Sequence, residues 1–226
     1  MSQVSRGAPV MDKKESLRLA ELFCARLCHD LAGPIGTLLG VVEILREEQP
    51  DNEEGALAEE AAVDVADRLK LLRAAWGHNA EELNRTQLKA LLGGVAEKRK
   101  VRLELGGLDS NLVFAPEAGR VVLNLVLLAI ESLPGGGVVA LSGSGDGSVL
   151  FSISGARAAW PAGLAAWLVD DDAAWEAIGS SARNLQGPLT ALLVRDHGFR
   201  LSMLMPVGAG SEADALPPLL LELAGS

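Results

Sequence analysis

Apolar residues recur at helical spacing through the first part of the chain. From about Lys13 to Glu48 they alternate steps of four and three residues, which is the heptad seam of a helix packed lengthwise on another. The seam consists of Cys24, Cys28, Leu31, Ile35, Leu38, Val42 and Leu45. The pattern predicts one helix of roughly 50 Å, because each helical residue adds about 1.5 Å.

A second seam follows a short break. Pro50 cannot continue the first helix, and Asp51 is predicted to cap the next one, with Glu54 completing a capping box. Gly77 ends the second pattern. Its apolar positions are Ala58, Ala62, Val65, Leu69, Leu72 and Trp76. Two matching stripes with a short joint predict an antiparallel helical hairpin over residues 12–80.

The predicted hairpin has more apolar surface than two helices can cover. A second copy of the chain would complete a four-helix bundle around a two-fold axis, so a homodimer is the favoured arrangement. The alternative partner for the hairpin is the remainder of the same chain.

Beyond residue 80 the pattern changes to short elements of both kinds. One helix is predicted over about 80–98, and further helical stretches over 116–132, 162–169 and 187–197. Strand-like runs fall at 101–105, 111–114, 138–142, 149–154 and 199–205. This mixture predicts an α+β layer domain over residues 81–208. Residues 1–11 are predicted to be a disordered tail and 209–226 a C-terminal tail, with the packing of 216–223 left open.

Composition narrows the class of protein. A net charge of −10 argues against nucleic-acid binding, which requires a basic surface. No uninterrupted apolar run approaches the roughly 18 residues of a membrane span, and the N-terminus lacks a secretory pattern. The sequence therefore predicts a cytoplasmic protein with neither a membrane nor a nucleic acid as partner.

His29 is the residue that stands out on the first helix. It lies one position past the seam, so its side chain projects about 100° away from the packed face. Its neighbours on that flank carry almost no side chain: Ala25, Ala32, Gly33, Gly36 and Gly40. Each glycine destabilises a helix by about 1 kcal/mol relative to alanine. Glycines at these positions would be explained if another protein approaches the helix closely at His29. The alternative is that these small residues pack on a neighbouring helix.

Two further residues bear on the chemistry of His29. Pro34 removes the donor to the Asp30 carbonyl, so a bend is expected just after the histidine. Asp30 can orient or deprotonate the imidazole, which is a good nucleophile for a phosphoryl group when neutral. Arg26, four residues before Asp30, could pair with that carboxylate or bind phosphate oxygens instead.

The segment His29-Asp30, with Pro34 following, resembles the phosphoacceptor box of two-component histidine kinases. Kinases of that family that also act as phosphatases usually carry Asn or Thr four residues after the histidine. Gly33 occupies that position here. The resemblance therefore implies phosphoryl transfer without phosphatase activity.

The second domain resembles the ATP-binding domain of the same kinases, up to about Pro206. Residues 124–131 resemble the asparagine box, but Leu128 stands where a Mg²⁺-binding asparagine is expected. The adenine-binding aspartate of these kinases is absent from the corresponding segment, Ser154-Gly155-Ala156. A glycine-rich lid is expected before residues 187–188, but the sequence there offers only Gly179-Ser180-Ser181. The comparison implies a degenerate domain that binds no nucleotide, cofactor or metal.

Histidine box and degenerate domain together resemble the ChpT-type histidine phosphotransferases of bacterial phosphorelays. The resemblance implies that the receiver domain of a hybrid kinase loads His29, which then phosphorylates a response-regulator receiver. Mg²⁺ would lie in the receiver's acidic pocket. Receiver docking is expected on the flank around the histidine, with supporting residues Arg26, Ala25, Ala32, Gly33, Pro34 and Gly36. Two alternatives stay open: a divergent ATP-dependent histidine kinase, and a scaffold that docks receivers without chemistry.

Other candidates receive structural interpretations. Cys24 and Cys28 are predicted to be small buried hydrophobic residues. Residues 170–172 are three aspartates, predicted to form a solvated helix end rather than a metal site. His78 and His197 lack an acidic partner in a comparable setting, and the glycines at 143–147 suit a turn rather than a phosphate loop.

Overall fold

A computed structural model describes residues 12–77, 81–143, 147–180, 185–204 and 216–223. The chain begins with two long helices, α1 (Lys13–Glu48) and α2 (Glu53–Trp76), which pack on each other as a hairpin. Both ends of α1 and the C-terminus of α2 lie where the apolar periodicity and the breakers Pro50 and Gly77 predict them. The helical hairpin is confirmed.

The start of α2 differs from the prediction by one residue. Asn52, not Asp51, is the cap, because its side-chain oxygen accepts the N–H of Gly55 at 3.2 Å. Asp51 lies in the turn. Arg46 stabilises this turn by donating to the carbonyls of Pro50 (2.8 Å) and Asn52 (3.0 Å). Asn52 has the extended backbone conformation of a helix cap, and the two bonds from Arg46 hold the turn in this form.

Fewer than half of the positions in each apolar seam are buried within the hairpin. On α1, Cys28 and Val42 are buried, whereas Leu31, Leu38 and Leu45 are about half exposed, at 50%, 48% and 50%. On α2, Ala62 and Leu69 are buried while Val65 and Leu72 are exposed. The two helices therefore leave a continuous apolar stripe open along one side of the hairpin.

Among the described residues, α1 is the one helix long and apolar enough to cross a membrane by length and composition. A few charged residues interrupt the most apolar part of α1, so it contains no uninterrupted apolar run of that length. Cys28 and Val42 of α1 are buried against α2, as expected for a helix that packs in a helical bundle.

The second domain is an α+β layer structure, as predicted. Its elements are β1 (Leu83–Asn84), α3 (Arg85–Lys98), β2 (Val101–Gly107), β3 (Val113–Phe114), α4 (Pro116–Glu131), β4 (Gly137–Gly143), β5 (Ser148–Ser154), α5 (Leu164–Trp167), α6 (Asp171–Ser180), α7 (Gln186–Asp196), β6 (Arg200–Met203) and β7 (Leu219–Glu222). Within the described residues, a five-stranded sheet has the order β2-β4-β5-β7-β6, in which only the β2–β4 pair is parallel, and β1 and β3 form a separate two-stranded ribbon.

The predicted helix over 80–98 starts five residues too early. Asn84 caps α3 by accepting the N–H of Gln87 at 2.9 Å, and Gln87 returns the bond to the Asn84 N–H, also at 2.9 Å. Leu83, taken for a helical position, instead pairs with Phe114 across the β1–β3 ribbon. A capping box formed by Asn and Gln ends the non-helical segment there.

The segment that the sequence left undecided is a strand inside the sheet. β7 lies between β5 and β6, and both Leu219 and Leu221 are fully buried. The domain boundary drawn after residue 208 is therefore wrong, because the sheet would be split without β7. Leu221 pairs with Val149 on one side and Leu201 on the other. Such long-range pairing is invisible in local periodicity.

The second domain is packed against the first half of α1. Leu17 lies in a small apolar cluster with Ala174 of α6 and Leu192 of α7. Lys13 pairs with Asp172, and Lys14 with Asp196 at 3.6 Å. These contacts lie on the N-terminal side of His29, so the domain forms one wall beside the histidine.

Candidate functional site

His29 is open to solvent, with 84% of its side chain exposed. Its Nδ1 lies 3.2 Å from Oδ1 of Asp30. A neutral imidazole that donates its Nδ1 hydrogen to this carboxylate keeps the lone pair of Nε2 free for attack. Asp30 therefore lies where it can orient the imidazole, and the role of His29 as phosphoacceptor stays a prediction.

Asp30 is shared between two partners. Arg26 Nε donates to its second oxygen, Oδ2, at 2.8 Å. This hydrogen bond from the Arg26 guanidinium lowers the pKa of Asp30, and the bond with His29 lowers it further. The carboxylate is accordingly ionised at neutral pH. Of the two roles left open for Arg26, pairing with Asp30 is the one this structure contains.

The flank around His29 is unobstructed. A Cβ added to Gly33, Gly36 or Gly40 would meet no packed atom of the described residues within 4 Å. Among the described residues, no neighbouring helix packs closely on these three glycines. Pro34 lies within α1 without ending it, and Gly33 O accepts a bond from the Thr37 hydroxyl at 3.2 Å. Ala25 and Ala32 are half-buried. The bend after His29 stays a prediction.

His29 also lines a cleft of about 530 Å³ between the hairpin and the second domain. Lys70, Arg73 and Ala74 of α2 form its second wall, and Arg120 of α4 lies at its inner end. The sequence analysis missed this cleft, because its walls come from separate parts of the chain. The available signal was the spacing of Lys70, Arg73, Ala74 and Gly77, which places all four on one face of α2.

Arg120 is committed to an ion pair that joins the two parts of the molecule. Its Nη2 lies 2.6 Å from Oε1 of Glu21, and only 9% and 16% of the two side chains are exposed. Because both groups are largely buried, removing either would leave an uncompensated charge. The pair holds the second domain at a defined position relative to α1.

The residue that matches the asparagine box has a structural role. Asn124 is fully buried, and its amide donates to the carbonyls of Ala75 (3.0 Å) and Arg120 (2.9 Å). Its oxygen accepts a bond from Gln186 at 3.0 Å. Leu128, one turn later, is 1% exposed. All polar atoms of the Asn124 side chain thus serve to join α2, α4 and α7.

Trp167 fills space beside these residues. A Cβ added to Gly187 would lie 2.6 Å from the Trp167 ring and 3.6 Å from Leu128. The indole is therefore packed into the same region as the asparagine-box helix. The expectation that this chain binds no nucleotide stays a prediction, and the packing of Trp167 is in keeping with it.

The remaining candidates have structural roles. Asp170 accepts the Asp172 N–H at 2.8 Å at the start of α6, which confirms the helix end. No cluster of His, Cys, Asp and Glu suited to a metal ion occurs among the described residues. Cys28 is buried. Partial burial of the Cys24 thiol raises its pKa to about 11, and its interaction with Cys28 adds to this rise. Burial lowers the pKa of His197, while His78 and residues 144–146 lie outside the described ranges.

Comparison with known proteins decides the family. The protein phosphotransferase ChpT of Brucella abortus (strain 2308) is 26% identical over 127 residues, covering 56% of this chain and 61% of that protein. The family model for the histidine phosphotransferase C-terminal domain matches residues 85–206. The chain belongs to the ChpT-type histidine phosphotransferases.

The fold described above is also found in a solved structure. The 1.7 Å structure of a bacterial phosphotransferase superposes with a TM-score of 0.56 at 19% identity, covering 95% of this chain and 98% of that one. The family match begins at the start of α3, so it covers the second domain and not the hairpin that carries His29. This ChpT-type chain spans about 61% of the curated relative it matches.

Proposed function

We propose that this protein relays phosphoryl groups through His29. The receiver domain of a hybrid histidine kinase loads the histidine from its aspartyl phosphate, and His29 then passes the group to the receiver of a response regulator. The observation that carries the proposal is the exposed imidazole, held at Nδ1 by an ionised Asp30 on an unobstructed helix flank. Family membership supports the phosphorelay role.

The transfer step uses groups of this chain and of its partner. Nε2 of His29 attacks phosphorus, the bond from phosphorus to the aspartyl oxygen breaks, and the receiver carboxylate leaves with that electron pair. The Nδ1 hydrogen remains on the ring, so the imidazolium charge develops beside the Asp30 carboxylate. The second transfer is the reverse reaction with another receiver. Mg²⁺ belongs to the receiver's acidic pocket, and this chain is proposed to bind no cofactor of its own.

Independence from ATP is the second part of the proposal. A kinase reaction needs a metal ion to offset the charge of the transferred phosphate. Leu128 provides no ligand for such an ion, and the polar atoms of Asn124 are engaged with Ala75, Arg120 and Gln186. Phosphate therefore enters from receivers, and the second domain serves as a docking wall.

The working form is proposed to be a cytoplasmic homodimer. Support comes from the apolar stripe left open by Leu31, Leu38 and Leu45, which matches the stripe a four-helix bundle buries. His29 lies on a different flank of α1 from these leucines, so the dimer would leave the histidine accessible.

The deciding experiment follows labelled phosphate from a receiver to this protein. Receiver domains charged with ³²P-acetyl phosphate should transfer label to the wild-type chain, and the label should be acid-labile and base-stable. His29→Asn should take up no label, although its circular dichroism and its elution volume match the wild type. Retained labelling of His29→Asn contradicts the proposal. Self-labelling of the wild type with Mg²⁺-ATP alone would indicate a kinase instead.

A further inference from the structure

The cleft beside His29 has a cationic wall on α2. Lys70 and Arg73 are three residues apart and so lie on one face of that helix, opposite the flank of α1 that carries Ala25 and His29. The chain as a whole carries a net charge of −10. The basic residues beside His29 therefore differ in charge from the protein as a whole, which is acidic.

The basic residues of the cleft differ in what they already bind. Arg120 is paired with Glu21, and Lys70 with Asp67 at 2.9 Å. The Arg73 guanidinium has no hydrogen bond or ion pair within the described ranges, although Glu81 also lines the cleft. Arg73 is exposed, so binding an anion would not require breaking an existing buried contact.

We propose that Arg73 binds the phosphoryl group carried by His29. This inference rests on the proposed function, since it assigns a contact to the phosphorylated histidine. A guanidinium presents two parallel N–H donors to phosphate oxygens, and it remains charged at every relevant pH. As the bond to the receiver aspartate breaks and the bond to Nε2 forms, Arg73 offsets the charge on the non-bridging oxygens. Lys70 contributes a weaker, diffuse positive potential from the same wall.

The first test needs no receiver. The full-length chain is phosphorylated with potassium phosphoramidate, and the pH titration of the phosphohistidine is followed by ³¹P NMR. Because a nearby cation favours the dianion, the phosphoryl pKa should be higher in Arg73→Gln than in the wild type by about half a unit or more. Arg73→Lys should lie between the two. Equal phosphoryl pKa values in the wild type and Arg73→Gln overturn the inference.

Arg68→Gln is the matched control. Arg68 is an exposed arginine on the same helix, but it pairs with Asp64 and does not line the cleft. Its phosphoryl titration should match the wild type. An equal shift in both variants would indicate a general charge effect on the helix and would also overturn the specific role of Arg73.

The second test measures transfer from a phosphorylated receiver. Arg73→Gln should lower the transfer rate about tenfold, which corresponds to the loss of one charge-assisted hydrogen bond. If no receiver loads the wild type, the proposed relay function fails, while the ³¹P titration still reports on Arg73. If the wild type is loaded and Arg73→Gln is loaded equally fast, only the role of Arg73 fails. A wild-type chain that phosphoramidate cannot phosphorylate overturns both.

Discussion

At the residue scale, the candidate site consists of three neighbouring side chains of α1: Arg26, His29 and Asp30. Asp30 receives a bond from Arg26 on one oxygen and faces His29 Nδ1 with the other, so its two oxygens have separate tasks. All three groups are exposed, and such surface pairs contribute little to stability. Their value is positional, because the carboxylate is held against Nδ1 by a guanidinium from the preceding turn.

The pKa of Asp30 tests this arrangement. Arg26→Ala removes the largest cause of its lowering, so the pKa of Asp30 should rise toward that of an ordinary carboxyl, with the bond to His29 keeping part of the shift. Carbon-13 NMR of the side-chain carboxyl measures the value directly. Arg18→Ala, an exposed arginine two turns earlier on the same helix, is the control and should leave the titration unchanged.

The sign of the pH dependence follows from that direction. A carboxyl with a lowered pKa in the folded state contributes its interactions above the unfolded value of about 3.9, and loses them as pH falls through the folded value. Transfer between pH 6 and 8 should therefore be insensitive to the titration of Asp30. An unchanged pKa of Asp30 in Arg26→Ala would contradict the pairing with Arg26.

At the scale of elements, α1 presents three different surfaces. One packs on α2, one is the open apolar stripe and one is the bare flank with His29. The packed face and the open stripe are adjoining parts of one seam, and His29 lies about 100° from Cys28 around the helix. The 36-residue helix thus combines a packed face, an open apolar stripe and an exposed histidine.

The bare flank predicts a separation of stability from activity. Gly36→Ala should raise the free energy of unfolding by about 0.5–1 kcal/mol, because alanine is the better helix former and its Cβ meets open space. The same substitution should slow transfer from a phosphorylated receiver, since the added methyl group lies on the proposed docking surface. Urea denaturation and the transfer rate are the two measurements.

Gly94→Ala is the matched control for this prediction. Gly94 lies inside α3, and a Cβ there also meets nothing within 4 Å among the described residues. The Gly94→Ala variant should gain as much free energy of unfolding as Gly36→Ala and should transfer phosphate at the wild-type rate. Normal transfer by Gly36→Ala would show that receivers do not approach this flank closely.

The apolar stripe predicts the oligomeric state. Leu38→Lys should convert a dimer into a monomer, because two leucines per dimer would each lose about 1.5–3 kcal/mol of burial and gain an unpaired charge. Light scattering coupled to size exclusion gives the mass. Thr37→Lys, an exposed polar position on the same turn, should remain dimeric. A wild-type chain that is monomeric at micromolar concentration would contradict the bundle.

At the scale of the whole molecule, the two parts are joined by buried polar contacts. Glu21 and Arg120 link α1 to α4, and Asn124 links the end of α2 to α4 and α7. Leu17 adds an apolar contact at the N-terminal end of α1. The cleft beside His29 exists because these contacts hold the domain against the hairpin.

Asn124 provides the test of this joint. Asn124→Ala leaves the Ala75 carbonyl without its side-chain donor and removes one of the three acceptors of the Gln186 amide, so the free energy of unfolding should fall by about 2–3 kcal/mol. Chemical denaturation measures the change. Asn84→Ala, which removes an exposed helix cap, should cost only about 1 kcal/mol. Equal losses in both variants would show that the Asn124 network does not hold the domains together.

Local signals were enough to predict much of the fold. Pro50 and Gly77 mark the ends of the helices, and the step of four and three residues identifies the hairpin without any long-range information. Caps were less certain, because Asp51 and Asn52 are chemically equivalent choices and only the Arg46 contacts to the turn decide between them. The strand β7 could not be predicted, since its partners β5 and β6 come earlier in the chain and local periodicity says nothing of pairing.

Part of the candidate site could likewise be predicted from the sequence, and part depends on the tertiary structure. His29, Asp30 and the bare flank follow from positions within one helix, where spacing along the chain defines direction in space. Arg73 and the cleft depend on how α2, α3 and α4 meet α1, and Leu128 and Asn124 reveal their packing only in three dimensions.

The order of the residues by itself determined the hairpin, the accessible histidine and the family of the second domain, because helical periodicity and short motifs act over a few residues. Tertiary structure alone decided the placement of β7, the Glu21–Arg120 joint and the cationic wall facing His29. The physical reason is that contacts between distant segments are selected by burial and charge pairing of the whole fold, which no local pattern contains.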